Sequence, residues 1–282
     1  MSMDRRQFLK IAGISSILGL GATAATATHN IWVPGIEPPE VEPNKEALKA
    51  EHWAMVVDMS KFKTDEDFEK TVSACHTTHN VPSFRNADGT VNIKDEIKWI
   101  WKAKYENAFP DQENPYMEEK LKEMPFIVLC NHCENPPCVR VCPTKATFKR
   151  KSDGIVMMDM HRCIGCRFCM AACPYGARSF NFRDPRGKDA NGQPFIKNEN
   201  KEYPTRTRGV VEKCTFCTER LAFGKLPACV EAAPKGGLIF GDLADKNSEV
   251  RKIVETRYTI RRKAELGTGP SVYYLIGGME HA

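Results

Sequence analysis

The sequence predicts an α+β protein built as two interleaved halves, with helical and loop segments inserted between them. Three observations predict it. Twelve cysteines among 282 residues fall into spaced groups. One layout of those groups recurs along the chain, and short apolar runs, each long enough for a single strand, lead into them. Hydrophobic residues at 41% and charged residues at 27% are ordinary for a globular chain, so the cysteine spacing carries the information. The formal charge of +5 is scattered, without the basic runs and interleaved aromatics of a nucleic-acid binder. The cysteines are also too sparse for a small disulfide-stapled scaffold.

From the N-terminus, residues 1–27 read as a twin-arginine signal segment. Asp4-Arg5-Arg6-Gln7-Phe8-Leu9-Lys10 precedes a mildly apolar stretch from Ile11 to Ala27, and Ala25-Thr26-Ala27 offers a small-x-small cleavage site. Such signals export proteins already folded around their cofactors. The expected location is therefore the periplasmic, extracytoplasmic face of the membrane, held there through partners or an uncleaved signal. No other stretch is long and apolar enough to cross a bilayer. Residues 28–49 are proline-rich and read as an extended linker.

Trp53 to Asp58 then suggests a first strand, and Thr64-Asp65-Glu66-Asp67 a helix N-cap leading through Phe68 and Val72 to Cys75. Residues 50–83 plus 209–240 are assigned to a first half holding one metal cluster. Residues 84–125 are read as a charged, helical insertion containing Ile97, Trp99, Ile100 and Trp101. Residues 126–182 form a second half holding two clusters, with strands at Phe126–Leu129 and Ile155–Met158. A polar loop insertion follows at 183–208, and residues 241–282 are expected to be a C-terminal docking tail.

The clearest cysteine group is Cys163-x2-Cys166-x2-Cys169-x3-Cys173-Pro174. This is the bacterial ferredoxin run, in which three thiolates hold one [4Fe–4S] cluster and the fourth reaches to a neighbouring cluster. Two-residue gaps let the backbone curl around a cube of iron and sulfide. The three-residue gap sends the last cysteine off on the following helix. Cys130-x2-Cys133-x4-Cys138-x3-Cys142-Pro143 repeats the device with a longer loop. Cys214-x2-Cys217-x11-Cys229 repeats it again, but Ala233 stands before Pro234 where a fourth cysteine is expected. In the first group Cys75 alone remains, at the fourth position. The halves are thus bacterial-ferredoxin-like, of βαββαβ type.

The losses agree with one another. One cluster would need three thiolates from the first group and the fourth from the last, and those four are the ones missing. What remains closes into three sets: Cys130, Cys133, Cys138 and Cys173 (cluster 1); Cys163, Cys166, Cys169 and Cys142 (cluster 2); Cys214, Cys217, Cys229 and Cys75 (cluster 3). Disulfides compete poorly, because closely spaced cysteines make bad geometry for separate bridges. Four-thiolate zinc has no need of a fourth cysteine followed by proline. A c-type haem is disfavoured because no Cys-x-x-Cys-His occurs to attach it; the expected cofactors are the three clusters, with no haem and no molybdopterin. His76 and His132 read as polar neighbours of the ligands, Phe62 or Phe68 as filler of the vacated site, and Arg140, Arg162, Arg167 and Lys213 chiefly as solvated surface.

The four-group layout, with the tail Leu266-Gly267-Thr268-Gly269-Pro270-Ser271-Val272-Tyr273-Tyr274-Leu275, resembles the electron-transfer subunits of the dimethyl-sulfoxide, polysulfide and nitrite reductase families over about residues 50 to 276. Within that group the resemblance is strongest to the periplasmic iron–sulfur subunits of Dsr-type membrane complexes of sulfur-metabolising prokaryotes. It rests on Glu96 to Trp101, Cys130 to Cys138 and His161 to Cys169. The resemblance implies an electron relay without a catalytic site of its own. The implied partners are an NrfD-type quinone-reactive membrane subunit, a multihaem cytochrome c, and further membrane and cytoplasmic subunits. The cluster absent here is the one nearest the molybdenum subunit in four-cluster members, which argues against the alternative of a molybdopterin oxidoreductase subunit. A secreted structural zinc or disulfide protein is the alternative of another class.

Overall fold

The computed structural model describes residues 44–275 apart from 87, 190 and 205. The export-signal reading and most of the linker lie outside the described residues. Among these residues the strands are β1 (Trp53–Val57), β2 (Ile100–Lys104), β3 (Pro125–Leu129), β4 (Thr147–Lys149), β5 (Val156–Met158), β6 (Ser179–Phe180), β7 (Val211–Glu212), β8 (Leu238–Asp242), β9 (Thr259–Ile260) and β10 (Val272–Leu275). The helices are α1 (Asp65–Thr78), α2 (Tyr105–Ala108), α3 (Glu119–Lys122), α4 (Pro137–Arg140), α5 (Phe168–Ala172), α6 (Thr218–Leu221), α7 (Ala228–Ala232) and α8 (Glu249–Thr256). This is a mixed α/β chain of small sheets, consistent with ferredoxin-like 4Fe–4S domains.

The central sheet has the order β8-β1-β10-β9. β1 is antiparallel to β8 and parallel to β10, with Met55 opposite both Phe240 and Val272. Paired on both edges and covered on both faces, β1 is buried at every position, so it reads as a continuous apolar run rather than an alternating one. Alternate side chains still part company. Trp53, Met55 and Val57 join the main core with Phe62, Phe68 and Cys75, whereas Ala54 and Val56 meet Val250 and Leu275 under α8. Ser248 caps α8 by accepting from Arg251 N at 3.1 Å.

α1 begins as its sequence implies. Thr64 and Asp67 form a reciprocal capping box, with Asp65 and Glu66 completing an acidic first turn. Phe68, Thr71 and Cys75 form its buried stripe, and that spacing places Cys75 on the face packed against α7.

Two expectations need correction. The helical insertion is not helical around its tryptophans: Ile100–Lys104 is strand β2, paired antiparallel with β3 from Ile100↔Leu129 to Lys104↔Pro125. Exposed Lys102 and Lys104 alternate with partly buried Trp101 and Ala103, a period of two that suits a strand on a core. Elsewhere among the described residues of 84–125 the helices are the short α2 and α3 and a 3-10 turn at Pro110–Gln112. The docking tail is likewise part of the core. Val272 and Tyr274 are fully buried in β10, and the Tyr274 hydroxyl donates to Ile127 O at 3.0 Å.

Candidate iron–sulfur centres

Each cysteine group is delivered by a strand and released by a turn that most side chains resist. β3 ends at Leu129 and hands over Cys130; His132 then takes φ 41°, curling the loop back so that Cys133 faces the same space. Pro136 and Pro137 start α4, which carries Cys138. In the next group Gly165 has φ +70°, and a Cβ there would lie 2.5 Å from Gly209 O, so only glycine fits between Cys163 and Cys166. Arg167 is also left-handed, immediately before α5. In the last group Phe216 and Cys217 both have positive φ. The three loops share one device, a left-handed residue between ligands.

The structure brings the cysteines into three quartets. Cys130, Cys133, Cys138 and Cys173 line one cavity, together with Asn131, Tyr175 and Arg178. Cys142, Cys163, Cys166 and Cys169 line a second, with Thr144, Thr147 and Ile164. Cys75, Cys214, Cys217 and Cys229 are all buried and lie close enough for their charges to act on one another.

Burial governs these thiols. It drives Cys75 and Cys217 well above the usual range, assisted by each other's quartet and by Glu219. It also pushes Cys133 and Cys229 up to about 12. Cys142 goes the other way: partial burial opposes ionisation, but hydrogen bonds from Thr147 and Thr144 lower its pKa. Buried thiols of this kind ionise only when a cation arrives to take up the charge, which is the chemistry of iron ligation.

Several buried polar atoms fit the same occupant. Asn131 Nδ2 and Oδ1, His132 Nε2 and Thr215 Oγ1 have no hydrogen-bond partner, and all lie inside cysteine loops. Backbone amides of Thr147 and Phe216 point at Cys142 Sγ and Cys214 Sγ, at 3.4 and 3.5 Å. Zinc fits less well. A tetrahedral four-thiolate site holds its sulfurs about 3.8 Å apart, given Zn–S bonds of about 2.3 Å. Among the described residues, the one group of three ligand types converging within 4.8 Å is His79, Cys217 and Glu219; no three thiols do. All twelve cysteines are free thiols.

Of the basic residues singled out in the sequence, Arg140, Arg162 and Arg167 are exposed and Lys213 is fully buried. Phe62 and Phe68 are buried together, ring centroids 5.1 Å apart, in the same core as Cys75, Cys229 and Ala233. The Phe62 ring also closes on Gly237, lying 3.0 Å from where a Cβ would stand. Two neighbours escaped the sequence reading. His79 Nδ1 donates to Cys75 O at 2.7 Å, its Nε2 meets the Glu219 carboxylate at 2.8 Å, and the ring stacks on Trp99. Arg178 donates to Cys138 Sγ at 3.0 Å. Their nearness to Cys75 and Cys173 in the chain was the only available signal.

Residues 121–186 match the family model of a 4Fe–4S dicluster domain, a span holding Cys130 to Cys173. The chain is 42% identical to the Hdr-like menaquinol oxidoreductase iron-sulfur subunit 1 of Archaeoglobus fulgidus, covering 98% of this chain and 99% of that protein. It is 37% identical to the protein NrfC of Escherichia coli, over 97% and 95% of the two chains. It is 34% identical to the menaquinone reductase iron-sulfur cluster-binding subunit of Nitratidesulfovibrio vulgaris, over 79% and 88%.

Proposed function

Because the chain belongs to the family of iron–sulfur electron-transfer subunits of menaquinol and molybdopterin-type oxidoreductases, we propose that it is a three-cluster relay between a periplasmic cytochrome c and an NrfD-type quinone-reactive membrane subunit. The complex it serves would be a Dsr-type assembly of sulfur metabolism, with this chain in the place of DsrO. When bound, a [4Fe–4S] cluster supplies one-electron storage and transfer. The chain's own residues hold, space and insulate that group.

The observation that carries the proposal is the adjacency of the quartets. Cys130 packs against the core that holds Cys75, Cys214 and Cys229, and Cys138 packs with Cys163 and Cys169, which supports a line of sites with the Cys130 quartet in the middle. The Cys75 quartet is the most enclosed. The Cys163 quartet lies under exposed Ile164 and Phe168, the shallow end where a partner could approach. Within the ferredoxin-like half at residues 126–182 the ligation would be crossed, with Cys142 and Cys173 each leaving its own group to complete the other, and the interleaving of the two halves, which would bring Cys75 to Cys214, Cys217 and Cys229, belongs to the same proposal.

Quinone linkage rests on relatives named for menaquinol and menaquinone chemistry that match most of this chain. A molybdopterin partner is the second reading. Against it stands Ala233, with phenylalanines in the core beside Cys75. Export by the twin-arginine route and periplasmic location belong to the same proposal.

The test is an anaerobic pull-down of the tagged native chain from mildly solubilised membranes. Recovery of a haem c protein and a multispanning quinone-reactive subunit is expected. Recovery of a molybdopterin subunit in their place would overturn the relay as stated.

A further inference from the structure

Arg178 is a buried cation with no carboxylate beside it. Its side chain is 4% exposed. It donates from Nη2 to Cys138 Sγ at 3.0 Å and from Nη1 to Thr147 Oγ1 at 3.1 Å. Thr147 gives its own backbone N–H to Cys142 Sγ. One guanidinium thereby reaches the walls of two cavities, lining the first itself and touching the second through Thr147. No carboxylate among the described residues forms an ion pair with it; its partners are a thiol, a hydroxyl and the Met158 thioether.

A guanidinium stays charged at any working pH, and a buried charge left without a counter-ion is costly. The anions within reach are cysteine thiolates. Arg178 lines the cavity of Cys130, Cys133, Cys138 and Cys173, and Cys138 packs with Cys163 and Cys169 of the second quartet.

The third quartet has the opposite surroundings. Its four cysteines are between 2% and 6% exposed, the Glu219 carboxylate, held by His79 Nε2 at 2.8 Å, lies within electrostatic reach of Cys75 and Cys217, and Arg220, which reaches Cys229, is paired with Glu231 at 2.5 Å. Arg206 is close by, but it is consumed by an ion pair with buried Glu212. Lys213, also fully buried, donates to Val156 O and to Cys214 O, so it stands beside the third quartet, but on backbone carbonyls rather than on a ligand sulfur.

We propose that Arg178 is a positioning residue that sets the order of reduction. Its fixed positive charge stabilises the added electron at the Cys130 and Cys142 quartets, and leaves the Cys75 quartet as the last to be reduced. Reduction adds one negative charge to a cluster, and a charged donor on a ligand sulfur favours that state. Low local dielectric strengthens the effect. The proposal rests on the three-cluster reading.

The experiment is an EPR-monitored redox titration of the whole chain, purified anaerobically, with iron measured on the same samples. Cys133→Ser, Cys166→Ser and Cys217→Ser assign the signals. Arg178→Gln is expected to lower the equilibrium constant for one-electron reduction at least tenfold at the first two clusters, about 59 mV, and to leave the Cys75 cluster unmoved. Arg178→Lys is expected to keep most of the wild-type values. Equal shifts at all three clusters, or no shift in a fully iron-loaded Arg178→Gln chain, overturn the proposal. If Arg178→Gln fails to take up iron, the wild-type titration decides, since a Cys75 cluster reduced before either of the others overturns it equally. Iron content separates the two kinds of failure. Fewer than about twelve irons per wild-type chain overturns the three-cluster reading, whereas full iron with the wrong order overturns the role of Arg178 alone.

Discussion

Ending the chain after Gly269 removes β10, and the structure turns that into an energy. Val272, Tyr274 and Leu275 are between 0% and 4% exposed. Burying such side chains stabilises by about 1.5–3 kcal/mol each, so about 5–9 kcal/mol is lost together. The Tyr274 hydroxyl leaves Ile127 O without its donor, and the parallel edge of β1 is laid bare from Met55 to Val57. Set against a typical folding stability of about 5–15 kcal/mol, the truncated chain should fail to accumulate as soluble protein. Milder changes grade the effect. Tyr274→Phe should cost about 1–2 kcal/mol, because a buried carbonyl loses its partner, and Val272→Ala about 2 kcal/mol. The assay is soluble yield, followed by urea denaturation of whatever folds. A free docking arm behaves differently, leaving the denaturation midpoint in place and losing only partners. A truncated chain that stays soluble with an unchanged midpoint refutes the core assignment.

Other perturbations separate local from global effects. Gly165→Ala forces a side chain into a left-handed residue and against Gly209 O; iron per chain should fall by about one cluster's worth, and unchanged iron would count against the loop geometry. Phe62→Ala should cost about 3–5 kcal/mol by opening a cavity in the core that holds Ala233, read as a lowered urea midpoint. Backbone N–H groups of Thr64 and Lys63 hold the Asp67 carboxyl below the ordinary aspartate value. Its contribution is thus complete above the unfolded pKa and lost as pH falls through the folded one. Asp67→Asn should flatten the acid arm of a stability-versus-pH profile, and an unaltered acid arm would show that the capping box carries no such linkage.

The cysteine groups were legible because ligand spacing is a matter of two or three residues, and the curl it imposes shows as left-handed His132, Arg167 and Cys217. The cap at Thr64 was legible for the same reason. What was not legible depends on distant partners. Ile97, Ile100 and Trp101 are spaced like one face of a helix, and nothing nearby reveals that Phe126 to Leu129 waits to pair with them. Val272 to Leu275 is too short to distinguish a core strand from an extended arm until β1 lies beside it. Arg178 and His79 carry no motif. Their importance comes from burial against Cys138 and Cys75, which only the folded chain creates.

The central sheet joins the first described strand to the last, since β1 lies between β8 and β10. A ribosome releases β1 long before either neighbour exists. Until β8 and β10 have emerged, Trp53 to Val57 has no lasting partner and must wait as an exposed apolar segment, the slow and aggregation-exposed circumstance of long-range pairing. Cys75 shares that delay, because the helix bearing Cys229 emerges just ahead of β8. The Cys130 and Cys163 groups, close together in the chain, face no such wait. Maturation should therefore proceed in two stages, with the middle of the chain competent for metal first and the joined ends last. A nascent chain stalled before β10 would carry the two-cluster region without a finished core, a state that chaperones and proteases can distinguish from the completed fold.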